Sequence, residues 1–371
     1  MDTLINMVFS QSGFSCAAAV LAYMALVHHL RYQRINALLA KYPDPTLPLR
    51  NLAVATEVTA VINELEFPFL SVVSLEFASF KTYAIPTISK IMAATKQFTT
   101  ATLKRADDTF LILLEMKEGY SRNRRRTTIE GKEDEKEVQN DKWRSEIALE
   151  RLNFIHGHYN IKQGDLLYTL ALFILEPTSF LGRFEWRGLT ELEQNAQFAT
   201  WRKIGKDMNI HNIPETKEEL KAWSENYQET HAKFAVVNIE IAESTIDLLL
   251  SLAPSFTHRF CRQIVSALLT PRVREAFGIA PPSRGVKSLV HAVLHGRAMF
   301  IRYFMLPRRL PLVRTALRAN SECKYVPNFH KYKPVYEDGY RIEDLGPDKF
   351  LGKCPVSFHP SGLTLEMKKN V

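Results

Sequence analysis

No charged residue occurs between Thr3 and Val27, and this constrains the chain more than any other feature of its sequence. The densest part, Gly13 to Val27, is rich in Ala, Val and Leu. A hydrocarbon core of ~30 Å takes about 20 helical residues at ~1.5 Å each, so the stretch is long enough to cross a bilayer. A cleaved signal peptide would open on basic residues, whereas this chain opens Met1-Asp2. A buried core helix would be amphipathic, and this segment is not. The positive residues follow the apolar run, at His28, His29, Arg31, Arg34 and Lys41. Positive flanks stay on the cytosolic side. The reading is therefore a short lumenal N-terminus over 1–9, a transmembrane anchor over 10–30 and a linker over 31–46, with a cytosolic body beyond. Pro43, Pro45 and Pro48 mark the break.

The body is expected to be all-α, a single helical domain over 47–317. Apolar residues recur at helical spacing in Ala53–Glu66, and Pro68 stands at an early helical position. Asp107–Met116, Leu149–His158, Ile239–Leu252 and Val286–Phe304 read as further helices. Thr190 followed by Glu193 is a capping-box pattern opening Leu189–Met208. Asp165–Leu175 is nearly all apolar, too short to span a membrane, and reads as a buried central helix ended by Pro177. Period-two strand patterns are absent. Residues 122–141 hold a basic run, Arg122 to Arg126, and then an acidic patch, and read as a charged mobile loop. The tail over 318–371 reads as extended chain wrapping the body or lying free.

The net charge of +8 suits a basic soluble surface or an anionic lipid leaflet. No nucleic-acid recognition motif accompanies it, so no nucleic-acid partner is expected. Cysteines at 16, 261, 323 and 354 have neither metal-ligand nor disulfide-framework spacing. The chain has no nucleophile elbow, phosphate loop or HExxH. Asp107-Asp108 resembles the start of a terpene-cyclase metal motif, but Leu111 stands where the third carboxylate belongs, which rules that reading out. His156 and His158 lie on nearly opposite faces of a helix, whereas His291 and His295 share one. A lone His such as His156, beside apolar Phe154 and Ile155, is more often a core residue than a ligand.

Several segments resemble the fungal endoplasmic-reticulum oxygenase MpaB family. They include Leu65-Glu66-Phe67-Pro68-Phe69, the run from Phe77 to Ser89, Lys104-Arg105 with Asp108-Thr109, and Asp165 to Phe173. Glu185-Trp186-Arg187, Trp201 to Gly205, and Gly339 to Asp344 continue the likeness. That family is related to the latex clearing proteins, helical b-type haem oxygenases that cut polyisoprene. The resemblance implies a latex-clearing-protein-like helical fold and an oxygenase at the ER membrane. Its substrate would be a small lipophilic molecule, possible prenylation included, oxidised or cleaved at a C=C bond. It also implies haem b, with His156 as the iron ligand, Lys104 and Arg105 as cofactor contacts, and Arg151 and Asp165 as catalytic candidates. The sequence departs from the relatives at Ala171, which stands where they carry a His on the central helix. Leu152 and Asn153 replace a Thr and an Arg in the motif that ends at His156. The alternative reading is a non-catalytic membrane partner of a biosynthetic enzyme that keeps the fold.

Overall fold

The structure is a computed structural model describing residues 2–353, 356–358 and 365–367, with side chains described over 14–353. Its first part comprises α1 (Asp2–Lys41), α2 (Leu47–Arg50), α3 (Leu52–Ala60), a π-helical turn (Val61–Glu66) and α4 (Pro68–Thr82). Then come α5 (Pro86–Ala94), α6 (Gln97–Thr100), α7 (Thr102–Lys117), α8 (Gly119–Glu130), α9 (Glu135–Gly157) and α10 (Gln163–Phe184). The remaining helices are α11 (Glu191–Asp207), α12 (Lys217–His231), α13 (Val236–Leu250), α14 (His258–Leu268), α15 (Pro271–Phe277) and α16 (Arg284–Phe304). Local chemistry sets many of the boundaries. The Asn51 side chain accepts from the N–H groups of Ala53 and Val54 to start α3. Pro68 and Pro86 occupy first-turn positions, where no N–H is needed. Thr190 and Glu193 close the expected capping box, and Thr216 with Glu219 close another at α12. The fold is all-α apart from a short antiparallel ribbon, Val356–Phe358 against Leu365–Met367.

Helices α4 and α10 pack along one another at the centre. On one side Phe80, Ile85 and Phe98 meet Ile241, Ile246, Val273 and Phe277. On the other, Val54, Val58 and Ile62 meet Phe180, Phe184 and Trp186. Each such side chain, fully buried, contributes roughly 1.5–3 kcal/mol by apolar transfer.

Two helices among the described residues are long and apolar enough to cross a membrane. The first is the Phe14–Lys41 part of α1, of whose most apolar window only 11% is buried. The second is α10, with 56% of its window enclosed by the protein, which makes it a core helix. It is longer than the sequence pattern suggests, because Pro177 lies inside it. Burial of Phe180, Leu181 and Phe184 outweighs the loss of one helical hydrogen bond there.

Two further segments differ from expectation. Residues 31–41, read as linker, continue α1, because Ile35 and Leu38 bury in the core and Arg31 donates to the Met305 carbonyl at 2.7 Å. Residues 122–141, read as a charged loop, form the end of α8 and the start of α9. Part of their charge is buried and paired, at Arg122, Arg126 and Asp141, while Arg124, Lys132, Glu133, Glu135 and Lys136 are exposed. Arg122 is fully buried and donates to Asp141 at 2.6 Å and Glu115 at 3.1 Å, while Arg126 also pairs with Asp141. The acidic and basic halves of this stretch pair with α7 and with each other across the α8–α9 turn. The chain beyond α16 wraps back over α7 and α9. Tyr325 and Tyr340 bridge each other, and the Tyr340 hydroxyl donates to Glu115.

Candidate active-site cavity

Helices α4, α7, α13 and α14 and the 327–336 segment enclose a cavity of about 390 Å³. Its walls are apolar because three helices turn one stripe each toward it. Phe110, Leu113 and Leu114 come from α7, Leu248 and Leu249 from α13, and Ile264, Val265 and Leu268 from α14. Val72, Leu75, Phe77 and Phe80 of α4 form the fourth side. Exposed Leu252, Phe329 and His330 also line it, which places its mouth at the surface.

The inner end is polar. The π-helical turn brings Asn63 and Glu64 there, opposite Ser71, Lys117 and Glu118. Glu64 accepts from the Ser121 hydroxyl, and burial together with nearby Glu118 raises its carboxyl well above the usual range. Burial acts on the Lys117 ammonium in the opposite sense and lowers its pKa against the pull of Glu64 and Glu118. That ammonium sits 4.6 Å from the Trp201 ring centre. Glu118 is fixed by the N–H groups of Arg314 at 3.0 Å and Thr315 at 2.9 Å. The Asn63 carbonyl accepts from Gln197 at 3.2 Å, but its Nδ2 has no protein partner, and neither has the Ser71 hydroxyl. A second cavity of about 220 Å³, lined by α3, α9 and α11, meets the first at Asn63, Glu64 and Lys117. Toward the mouth, burial and then Asp108 push the Asp107 carboxyl up to about 6.

Of Lys104, Arg105, Arg151, His156 and Asp165, the residues given site roles from the sequence, only Arg105 lines the cavity, with its guanidinium 6.0 Å from the Phe98 ring centre. Lys104 instead holds Asp108 at 2.9 Å and the Gly346 carbonyl at 2.6 Å. Arg151 is fully buried and donates to the Leu345 carbonyl at 2.6 Å and the Phe350 carbonyl at 3.1 Å, pinning the tail. Asp165 accepts from Tyr227 at 2.8 Å at the start of α10. His156 lies in the last turn of α9, half-buried, with Nδ1 enclosed and unpartnered. Burial, with a smaller contribution from Arg105, pushes it down to about 4. Lys104, Arg151 and His156 thus cluster where the tail crosses α7 and α9, and Asp165 stands apart from them.

A haem ligated by His156 does not fit this arrangement. The imidazole is not on the cavity wall. The tail is packed tightly over the same turn, so that a Cβ on Gly346 would fall 2.6 Å from the Ile155 Cδ1. Ala171 offers no ligand and is buried among Leu167, Ile174, Phe198 and Trp201. Among the described residues no three His, Cys, Asp or Glu side chains converge as a metal-binding group. The inner-end residues escaped the sequence reading. Asn63 and Glu64 interrupt an apolar helical pattern, which reads as an ordinary wet face until the π turn and Lys117 are placed together.

The structure is thus an all-α body around an apolar cavity with a buried charged end. Residues 84–299, more than half of the chain, match the family described as "ER-bound oxygenase mpaB/B'/Rubber oxygenase, catalytic domain". The chain belongs to this family and carries an oxygenase catalytic domain. It is 29% identical to the ER-bound oxygenase mpaB' of Penicillium brevicompactum, over 90% of this chain and 88% of the relative. It is 32% identical to the ER-bound oxygenase mpaB of Penicillium roqueforti, over 71% of this chain and 89% of the relative. A third relative, mpaB of Penicillium brevicompactum, is 31% identical over 62% of this chain and 60% of its own length.

Proposed function

We propose that this chain is an ER-membrane oxygenase that draws a lipophilic molecule into the α4–α7–α13–α14 cavity and oxidises it at a C=C bond. The observation that carries the reading is the cavity itself, about 390 Å³ with four apolar walls. The exposed apolar helix α1 and the ER-bound relatives support a single-pass anchor with the body facing the cytosol. An apolar substrate concentrates in the bilayer to which that anchor holds the enzyme. In oxidative cleavage one O₂ is consumed and each alkene carbon becomes a carbonyl carbon. That chemistry needs a redox group which side chains do not supply. The residues of this chain exclude water along the apolar walls, hold a proton on Glu64 at the inner end, and place Arg105 and Asp107 near the mouth.

Deleting the gene and profiling metabolites tests the reading. The expected result is accumulation of an unoxidised lipophilic precursor, restored to product by the wild type but not by Leu113→Trp, which fills the cavity. Rescue by a folded Leu113→Trp protein would show that the cavity does not hold the substrate. Protease treatment of sealed microsomes tests the topology: a body that survives until detergent is added would lie in the lumen.

A further inference from the structure

Helix α16 carries two apolar faces, where a helix on the surface of a water-soluble body needs one. Val290, Leu294, Ala298 and Ile301 recur at helical spacing and turn inward, and Leu294 and Ile301 pack against the cluster that holds Phe180 and Phe184. Leu289, Val293, Phe300 and Phe304, with Ala292 and Gly296 between them, recur at the same spacing on a second face, and all six are exposed. Val293 is 61% exposed and Phe300 56%. At 3.6 residues per turn the second face stands about a third of a turn from the first, and no charged residue falls on it. Arg297 sits at the border between the two, tied to Glu185 at 3.1 Å, and Arg284, His295 and Arg302 take the remaining side. An apolar strip of this length open to the surface marks a contact with another phase or molecule.

Two observations say what covers it. The first is its place beside the candidate membrane helix. The Tyr23 hydroxyl donates to the Phe304 carbonyl at 2.9 Å, the His28 and Tyr303 rings stack at 5.8 Å, and Arg31 donates to the Met305 carbonyl at 2.7 Å. Tyr23 lies five residues before His28, where the polar flank of α1 begins, which is about 7–8 Å along the helix. With α1 crossing a bilayer, Phe304 therefore sits below the headgroups at the depth of about 5–10 Å that interfacial amphipathic helices reach. The second is charge. From Ala276 to Ser321 the chain holds eight Lys and Arg residues and no Asp or Glu. Arg297, Arg314 and Arg318 pair with carboxylates elsewhere in the fold. Arg284 and Lys287 at the start of α16, and Arg308 and Arg309 just beyond its end, are exposed. Exposed cations at both ends of an apolar face match anionic headgroups around an acyl layer.

We infer that α16 is a second membrane-contacting element, lying along the leaflet beside α1 with Leu289, Val293, Phe300 and Phe304 among the acyl chains and its flanking cations at anionic lipid headgroups. It lies along the bilayer and does not cross it, since α1 and α10 are the helices long and apolar enough to do so among the described residues. The inference rests on the reading of α1 as an anchor. It goes beyond that reading by fixing which face of the body meets the bilayer, a choice that one spanning helix leaves open.

The test uses the full chain in vesicles of phosphatidylcholine with a minor share of phosphatidylserine, its native cysteines changed to Ser. An environment-sensitive NBD label is attached in turn at Leu21→Cys, Val293→Cys, Phe300→Cys and, as a water-facing control, Lys132→Cys, each protein checked by thermal melting. The quencher is a lipid with a doxyl group either just below the headgroup or deep in the acyl chain. The expected result is loss of emission at positions 293 and 300 with the shallow quencher, loss at position 21 with the deep one, and no loss at position 132. Leaving out phosphatidylserine should weaken the quenching at 293 and 300 and not that at 21. Position 293 or 300 alone suffices if the other variant does not fold. Quenching at 21 with none at 293 and 300 would overturn the role of α16 and leave the anchor intact. A blue-shifted emission at 293 and 300 that neither lipid quenches would overturn it too, by showing that protein covers the face. Quenching at 293 and 300 without quenching at 21 would sink the anchor reading and keep α16 as a membrane contact, and no quenching at all three would overturn both.

Discussion

On the face of α7 turned to α9, Glu115 meets Arg122 at 3.1 Å and Arg144 at 2.7 Å and also accepts from Tyr340. On the face turned to the cavity, Asn63 Nδ2 and Ser71 Oγ are buried without a protein partner, and Lys117 leans on an indole ring. Both regions bury polarity at comparable depth. In the first, Arg122, Arg144 and the Tyr340 hydroxyl hold Glu115, the Ala316 and Leu317 carbonyls accept from Arg144 and Arg126, and the arginines keep Glu115 below the usual carboxylate range despite full burial. In the second, burial dominates and raises Glu64 instead. The pairing, and not the burial, sets the direction in which each carboxyl is shifted.

Substitutions should therefore have opposite signatures on the two faces. The largest effect is expected from Glu115→Ala, which strands Arg122 and Arg144 in the interior. Such losses cost about 3–5 kcal/mol, and urea titration should show it. A fall of less than about 1 kcal/mol would mean that the network relaxes into water and is not a scaffold. Next is Arg151→Met, which frees the Leu345 and Phe350 carbonyls and should cost about 2–3 kcal/mol. Its clearer readout is limited proteolysis, in which the 318–353 segment should become the first site of cutting. Preserved resistance would separate Arg151 from tail docking. On the cavity face, Ser71→Ala should alter stability by no more than about 1 kcal/mol in either direction, since no protein partner is lost. A larger loss would show that Ser71 serves the fold.

At neutral pH the smallest effect is expected at His156, whose contribution shows only as the pH falls. Its folded pKa, about 4, lies below the ordinary value of 6.5, so the folded state prefers the neutral ring. Between those values the unfolded chain binds the extra proton, so this residue's stabilising contribution is present above pH 6.5 and is lost as pH falls toward 4. His156→Phe should flatten that part of the stability–pH curve. A curve of unchanged slope would assign the acid sensitivity to other groups.

Much of the scaffold could be read from local signals, because capping boxes, first-turn prolines and helical apolar spacing act within a few residues. Thr190–Glu193 and Pro68 behave as their chemistry requires. The same capping signal stands at Thr216–Glu219 and was open to the same reading. The 122–141 stretch was misleading because charge composition alone does not reveal whether partners lie far along the chain. Arg126 donates to the Leu317 carbonyl across 191 residues. The site shared this difficulty to a greater degree. Asn63, Ser71 and Lys117 belong to three separate elements, which come together only as parts of one cavity lining. Lys104, read as a cofactor contact, and Arg151, read as catalytic, both donate to tail carbonyls, since a cation suits a row of carbonyl oxygens as well as it suits a carboxylate.

The tail also sets the order of events during synthesis. Lys104 meets Gly346 across 242 residues, and Lys331, Tyr332 and Tyr336 complete the cavity wall that α7 begins. At about 5–20 residues per second, the ribosome delivers this last wall on the order of tens of seconds after α7. Through that interval the nascent chain presents an open apolar trough, while the candidate membrane helix α1 has long since emerged. Newly made molecules are therefore the population most exposed to chaperones, before the tail segment closes the cavity.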